Sequence, residues 1–287
     1  MEISPPLIEI NTDPGKTVTA NIKVRNVTKQ TLLAKPQVND FVAQGEEGQA
    51  KLLLDESKER SPYSIEGWVT DMDVLTIAPG EAKTETVTIN VPAKASPGGH
   101  YGVIRFTAAA PGIDSTGVAL SASVGTLVLI NVSGDVVDKS YLADFYTSQN
   151  GEKGSFFQSG PITFTQRLRN EGNTHFKPTG TVRVTNTFGK EVKVLSVNPN
   201  GGNVLPDSVR RFEQTLDKSR MFGYYKAEVN IQYSGKTLNQ SISFWVIPLK
   251  ATALVLGVII LIVVGLRLYV KQAVKKAAKP SKKDSKK

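Results

Sequence analysis

Two histidines, His100 and His175, are the only imidazoles in this 287-residue chain, and it contains no cysteine. Disulfides, thiolate metal sites and thiol catalysis are excluded, and a multi-histidine metal centre lacks ligands. A triad on one histidine stays open, because triads are spatial arrangements. Gly15-Lys16-Thr17 and Gly235-Lys236-Thr237 each look like half of a phosphate-binding loop. The glycine required upstream is Ile10 in one case and Asn230 in the other, so both read as turns. Neither G-x-S-x-G, S-x-x-K nor H-E-x-x-H occurs. The expectation is a chain without enzymatic activity, without a metal and without a cofactor.

What remains able to do chemistry is recognition. Tyr63 and Trp68 lie in SPYSIEGW, and His100 and Tyr101 in PGGHYG. Sugar rings dock their C–H faces on exposed aromatics, and loop ends are where a β scaffold carries binding groups. These four residues are the candidate ligand site, with Trp68 as a core plug and His100 as a polar turn residue for the alternatives. Glu46, Glu47, Asp55, Glu56, Glu59, Asp71 and Asp73 cluster nearby. Their spacing fits no calcium loop, and Lys51, Lys58 and Arg60 interleave with them, which reads as a solvated, salt-bridged loop.

The elements that must hold these residues have a period of two. Val18, Ala20, Ile22 and Val24 alternate with polar neighbours, as do Val87, Ile89 and Val91, and then Ala227, Val229, Ile231 and Tyr233. Such alternation predicts strands with one buried face, and the Pro-Gly and Asn-Gly turns between them predict antiparallel sandwiches. No convincing helix precedes residue 249, although 57–68 has room for a short turn. A weak repeat implies two copies of one architecture: VRN at 24–26 answers LRN at 168–170, and PGGHYGVIRF (97–106) answers MFGYYKAEVNI (221–231). Tyr101 and either Tyr224 or Tyr225 are expected in tyrosine corners. The first copy carries about 20 extra residues within 41–75, by the difference in these motif spacings.

Residues 251–266 run without a charge, and LRLYV extends the run to Val270. Twenty helical residues cover about 30 Å, the thickness of a bilayer core. Trp245 and Tyr269 bracket the segment as an aromatic belt, and Arg267 and Lys271 open a flank of nine basic residues against one acid, Asp284. This predicts a single span with the tail in the cytoplasm and the rest outside. A buried core helix and a tail-anchored cytoplasmic protein are the alternatives. The chain has formal charge +9, but without the tail's nine bases and one acid, 26 bases face 25 acids. The basic character therefore reports topology rather than nucleic-acid binding. No leader is visible, so the sequence is expected to begin near a processed N-terminus. The tail is expected to be disordered, near anionic headgroups.

The fold class expected is all-β: two tandem immunoglobulin-like sandwiches, 1–134 and 135–248, then a transmembrane helix at 249–270 and a basic tail at 271–287. With this architecture, the P-G-x-T turn at 14–17, the strand ending at Asn26, SPYSIEGWV, the APGE turn at 78–81 and PGGHYGVIRF, the chain resembles the WxL-interacting proteins of Gram-positive-type cell surfaces. LRNEGNTHFKPTG (168–180) resembles adhesion-type sandwiches of the CARDB or NEW3 kind. The resemblance implies peptidoglycan binding by the first sandwich and surface partners for the second. The expected function is thus a membrane-anchored tether whose partners are the lipid bilayer and a cell-wall polymer or surface protein. The alternative is an assembly protein that accepts a partner's strand at a sandwich edge.

Overall fold

The computed structural model describes residues 1–54, 61–109 and 122–277. The first half contributes β1 (Glu2–Ser4), β2 (Leu7–Thr12), β3 (Thr17–Arg25), β4 (Leu32–Gln44), β5 (Gln49–Leu53), a 3-10 turn (Glu66–Trp68), β6 (Leu75–Ile77), β7 (Ala82–Asn90), β8 (Gly98–Ala109) and β9 (Ser123–Val132). The second contributes β10 (Ser140–Gln149), β11 (Glu152–Lys153), β12 (Phe156–Phe157), β13 (Ile162–Asn170), β14 (Thr179–Asn186), β15 (Glu191–Val197), β16 (Val209–Leu216), β17 (Gly223–Tyr233) and β18 (Lys236–Val246), followed by α1 (Leu249–Ala277).

Four sheets result. In the first half β1-β3-β7 faces the sheet β2-β9-β8-β4-β5, with β6 added to β4; in the second β11-β10-β13-β16 faces β12-β18-β17-β14-β15. Pairing is antiparallel except for β2 on β9 and β12 on β18. The period of two places Ile22, Val87 and Ile89 of the small sheet against Ile104, Phe106, Val128 and Ile130 of the large one. The second core joins Ile162, Phe164 and Leu168 to Val182, Val184, Ala227, Val229, Ile231 and Phe244. The all-β, immunoglobulin-like fold class expected from the alternation holds, as does a single apolar helix at the C-terminus.

The likeness of the halves reaches individual hydrogen bonds. Asn26, fully buried at the end of β3, donates from Nδ2 to Gln30 O (2.7 Å) and Ile77 O (3.0 Å) and accepts from Thr28 N (2.9 Å). Asn170, at the end of β13, donates to Thr174 O (2.8 Å) and Val204 O (3.0 Å) and accepts from Gly172 N (2.9 Å). Each asparagine thus ties the residue four further on to a distant strand or turn. Tyr225 fills a tyrosine corner, its hydroxyl 3.3 Å from Phe222 O and 3.2 Å from Phe222 N. Tyr101 does not, and turns towards the other sandwich instead.

α1 is apolar over Leu249–Val274, and none of that window is buried. Among the described residues nothing covers it, which speaks against a core helix. The helix also outruns the expected end at Val270 and carries seven residues of the tail expected to be disordered. Gln272, Ala273, Lys275, Lys276 and Ala277 are good helix formers, and the first proline is Pro280.

Candidate functional site

β8 decides the fate of the aromatic candidates. His100 and Tyr101 are adjacent in a strand, and adjacent strand residues point to opposite faces. PGGHYG was read as a turn, but its glycines begin β8, so the four residues divide into two pairs.

His100 and Trp68 form the inner pair. Their rings lie 4.4 Å apart, Trp68 packs against the first core, and His100 is 4% exposed. Nε2 lies 2.9 Å from Ser96 O, which can only accept, so this nitrogen carries the proton. Burial lowers the His100 pKa below its ordinary value, the Ser96 bond opposing it, and the ring is neutral.

Tyr63 and Tyr101 form the outer pair, with rings 5.8 Å apart and Phe41 6.2 Å from Tyr101. Tyr101 is 2% exposed, and its hydroxyl meets His175 Nδ1 of the second sandwich at 3.2 Å. Burial holds the His175 pKa down, and the tautomer of its ring decides which partner donates in the bond to Tyr101. Burial pushes the Tyr101 phenol up, and pushes Tyr63 up to about 12 with help from Asp207. The Tyr63 hydroxyl donates to Asp207 Oδ2 at 2.9 Å. The outer pair is therefore part of a joint between sandwiches, with Tyr101 buried and Tyr63 partly so.

The rest of the joint was not visible in the sequence. At one side, Gly99 N donates to Asn173 O (2.8 Å) and Asn173 Nδ2 to Pro97 O (3.1 Å). Gly98 has φ +110° and lies so close to Asn173 O that a side chain would collide with it. In the middle, Glu9 accepts from Asn203 (2.6 Å) and Lys177 (3.0 Å). Burial raises the Glu9 pKa, but these two donors outweigh it and hold the carboxyl low. At the other side the β4–β5 turn reaches across. Arg167 forks onto the Glu46 carboxylate, with Nε at 2.7 Å, which lowers the Glu46 pKa. Glu46 O accepts from Arg211 N (2.7 Å), and Glu47 pairs with Arg211 at 2.8 Å. Glu46 and Glu47 were expected in a solvated, salt-bridged loop; they do form ion pairs, but with Arg167 of β13 and Arg211 of β16, while Asp55, Glu56 and Glu59 lie outside the described residues. Among the described residues no group of three His, Asp or Glu could hold a metal ion.

Two hollows flank the β4–β5 hairpin. One, of about 230 Å³, is lined by Leu7, Phe41, Leu127, Leu129, Asn203 and Arg210 among others. The second, of about 560 Å³, lies between Phe41, Tyr63 and Tyr101 on one wall and Leu205 and Asp207 on the other. The outer face of the β2-β9-β8-β4-β5 sheet is thus apolar, with Leu205 of the second sandwich packed on part of it. Arg210 donates from Nη1 to Asn203 O at 2.6 Å and stacks over Phe212.

Among the described residues, one edge of that sheet is open over part of its length. β2 pairs with β9 only at Leu127–Val132, so Ser123–Thr126 runs on past the end of β2. Leu127 N donates to Pro6 O on the β2 side (3.0 Å), and Ala108 N donates to Ala122 O on the β8 side (3.0 Å). Peptide groups alternate direction along a strand, so those of Ser123 and Gly125 point to the open side. The edge of β16, by contrast, is met by Glu46 O, and that of β7 by Thr70, whose N–H donates to Thr88 O at 3.0 Å.

The anchor-flank residues divide as well. Trp245 is on β18, 48% exposed, with its ring 5.3 Å from that of Tyr224, while Arg267, Tyr269 and Lys271 are exposed on α1.

No family profile and no curated protein matches the sequence. Solved structures do. The class 5 fimbriae chaperone CfaA is 13% identical, with a TM-score of 0.37, over 86% of this chain and 99% of that one. The Escherichia coli chaperone DraB is 14% identical, with a TM-score of 0.37, over 85% and 96%. The Salmonella enterica complex of SafA pilin with the SafB chaperone gives 12% identity and a TM-score of 0.35, over 84% and 95%. These likenesses are of fold. The tether to a wall polymer expected from the sequence is corrected: His100 and Tyr101 are buried, Trp68 packs against the first core and the Tyr63 hydroxyl is bonded to Asp207, so the four rings form no exposed platform for a sugar.

Proposed function

We propose that this chain is a non-enzymatic, membrane-held assembly protein that receives an extended segment of a partner polypeptide at the open end of β9. The observation that carries this reading is that edge itself. Ser123 and Gly125 present two N–H and two C=O groups beyond β2, beside the apolar hollow of Leu7, Leu127 and Leu129. Main-chain bonds at such an edge supply affinity, and apolar recesses for alternate side chains supply selectivity. Buried polar edge groups without partners cost about 1–3 kcal/mol each, so an added strand must pair all of them. The proposal includes α1 as a single bilayer span, with the sandwiches outside and the basic tail in the cytoplasm, on the charge asymmetry. It also keeps the chain beside the WxL-interacting proteins, on the motifs that carry that resemblance.

Ser123→Pro tests the reading. It removes one outward N–H without removing a β8–β9 bond, since Ser123 faces away from β8. A photo-crosslinking residue is placed at Gln49, on the wall of the smaller hollow, in full-length protein in its native membrane. The expected result is a discrete protein adduct that Ser123→Pro abolishes. An adduct of equal yield in the variant, or none in either, overturns strand addition at this edge.

A further inference from the structure

The chain has 11 phenylalanines. Eight are buried and three are exposed: Phe156 (51%), Phe188 (91%) and Phe222 (70%). The exposed three share one end of the second sandwich. Phe156 pairs with Trp245, and Gly223, which follows Phe222, pairs with Val246. Phe188 sits at the tip of the β14–β15 turn; Asn186, two residues before it, is level with Tyr225, and Tyr225 with Phe244. Thr187 donates to Tyr224 O at 3.0 Å, which holds that tip against the same end. All three phenylalanines, with Trp245 and Tyr224, therefore lie within about two residues of the level at which β18 ends. Between Val246 and the start of α1 only Ile247 and Pro248 intervene. Exposed Lys190, Lys218, Arg220 and Lys250 lie within five residues in sequence of one of these rings, as do the acids Asp217 and Glu191, the latter paired with Arg183.

Exposed phenylalanine is disfavoured on a surface facing water, and three of them confined to one end mark a contact. Rings interleaved with cations suit one environment in particular. The headgroup layer accepts aromatic edges and amphipathic rings, and its anionic lipids attract Lys and Arg. We infer that the base of the second sandwich, through Phe156, Phe188, Phe222 and Trp245, is a seat on the bilayer that α1 enters, so that the sandwich rests on the membrane instead of swinging from the helix. The occupant is fixed by continuity: a surface two residues from a bilayer-spanning helix cannot avoid the headgroups. This inference rests on α1 being a membrane span, as proposed above.

The test uses the full chain in nanodiscs of phosphatidylcholine and phosphatidylglycerol, with and without bromine on the acyl chains. Trp68→Phe and Trp245→Phe remove both native tryptophans, and single reporters are introduced as Phe188→Trp, Phe222→Trp or Leu261→Trp. The expected result is that all three lose much of their emission in brominated lipid. If Leu261→Trp is quenched while Phe188→Trp and Phe222→Trp are not, or if only one of these two is, the helix is inserted but the base is not seated, and the inference is overturned. If Leu261→Trp is unquenched, α1 is not in the bilayer, and the anchoring reading fails together with the inference.

Discussion

At the scale of single residues, the buried asparagines are the clearest case of sequence and structure agreeing. VRN and LRN were matched as a repeat from three letters, and the structure gives Asn26 and Asn170 the same three kinds of partner. Either residue replaced by alanine removes three hydrogen bonds from a buried site, so Asn26→Ala and Asn170→Ala are each expected to cost about 3 kcal/mol. Chemical denaturation of the full chain in detergent measures this. A loss below about 1 kcal/mol would mean that water reaches those carbonyls. The aromatic candidates teach the opposite lesson. Local composition marked Tyr63, Trp68, His100 and Tyr101 as ligand-binding candidates, and the glycines of PGGHYG suggested a turn. Gly98 is there because Asn173, 75 positions away, comes too close for a side chain, whereas a side chain at Gly99 would strike the Tyr101 ring. A contact of that kind leaves no period in the sequence.

At the scale of elements, strands were legible because alternation is local, and α1 because a long uncharged run has few other uses. The β4–β5 hairpin was not. Its acids looked like those of any solvated turn, and their partners Arg167 and Arg211 sit on strands whose own pattern shows only that they face outward. Gly98→Ala tests whether the joint depends on backbone approach. The chain lacks cysteine, so Thr84→Cys and Ser243→Cys give one spin label on each sandwich, both at exposed strand positions. The unsubstituted joint is expected to show one narrow distance distribution, and Gly98→Ala a broader or displaced one. An unchanged distribution would show that Glu46, Glu47 and Glu9 hold the sandwiches without the Asn173 contact.

At the scale of the whole molecule, acid acts on the joint and the first core in two steps. His100 and His175 have folded pKa values below 6.5 because they are buried. As pH falls below 6.5 the unfolded chain takes up protons that the folded chain refuses, so their contribution is present above that pH and is lost towards the lower folded values. Glu9 and Glu46 are held below 4.5 by their donors, so their contribution is lost below 4.5. Stability of the full chain is expected to decline first below pH 6.5 and again below 4.5. A His100→Gln, His175→Gln chain should lack the first decline; if it keeps it, other groups govern that range. The two-residue connection from β18 to α1 has a mechanical consequence. A pull on a partner held at β9 passes through the joint and leaves along β18, which is paired with β17 from Lys236 to Val246. The load runs parallel to that strand, so its cross-bridges are sheared together and not peeled one by one. Under the proposed function, tension between partner and membrane is thus borne by the arrangement in which a sheet yields last.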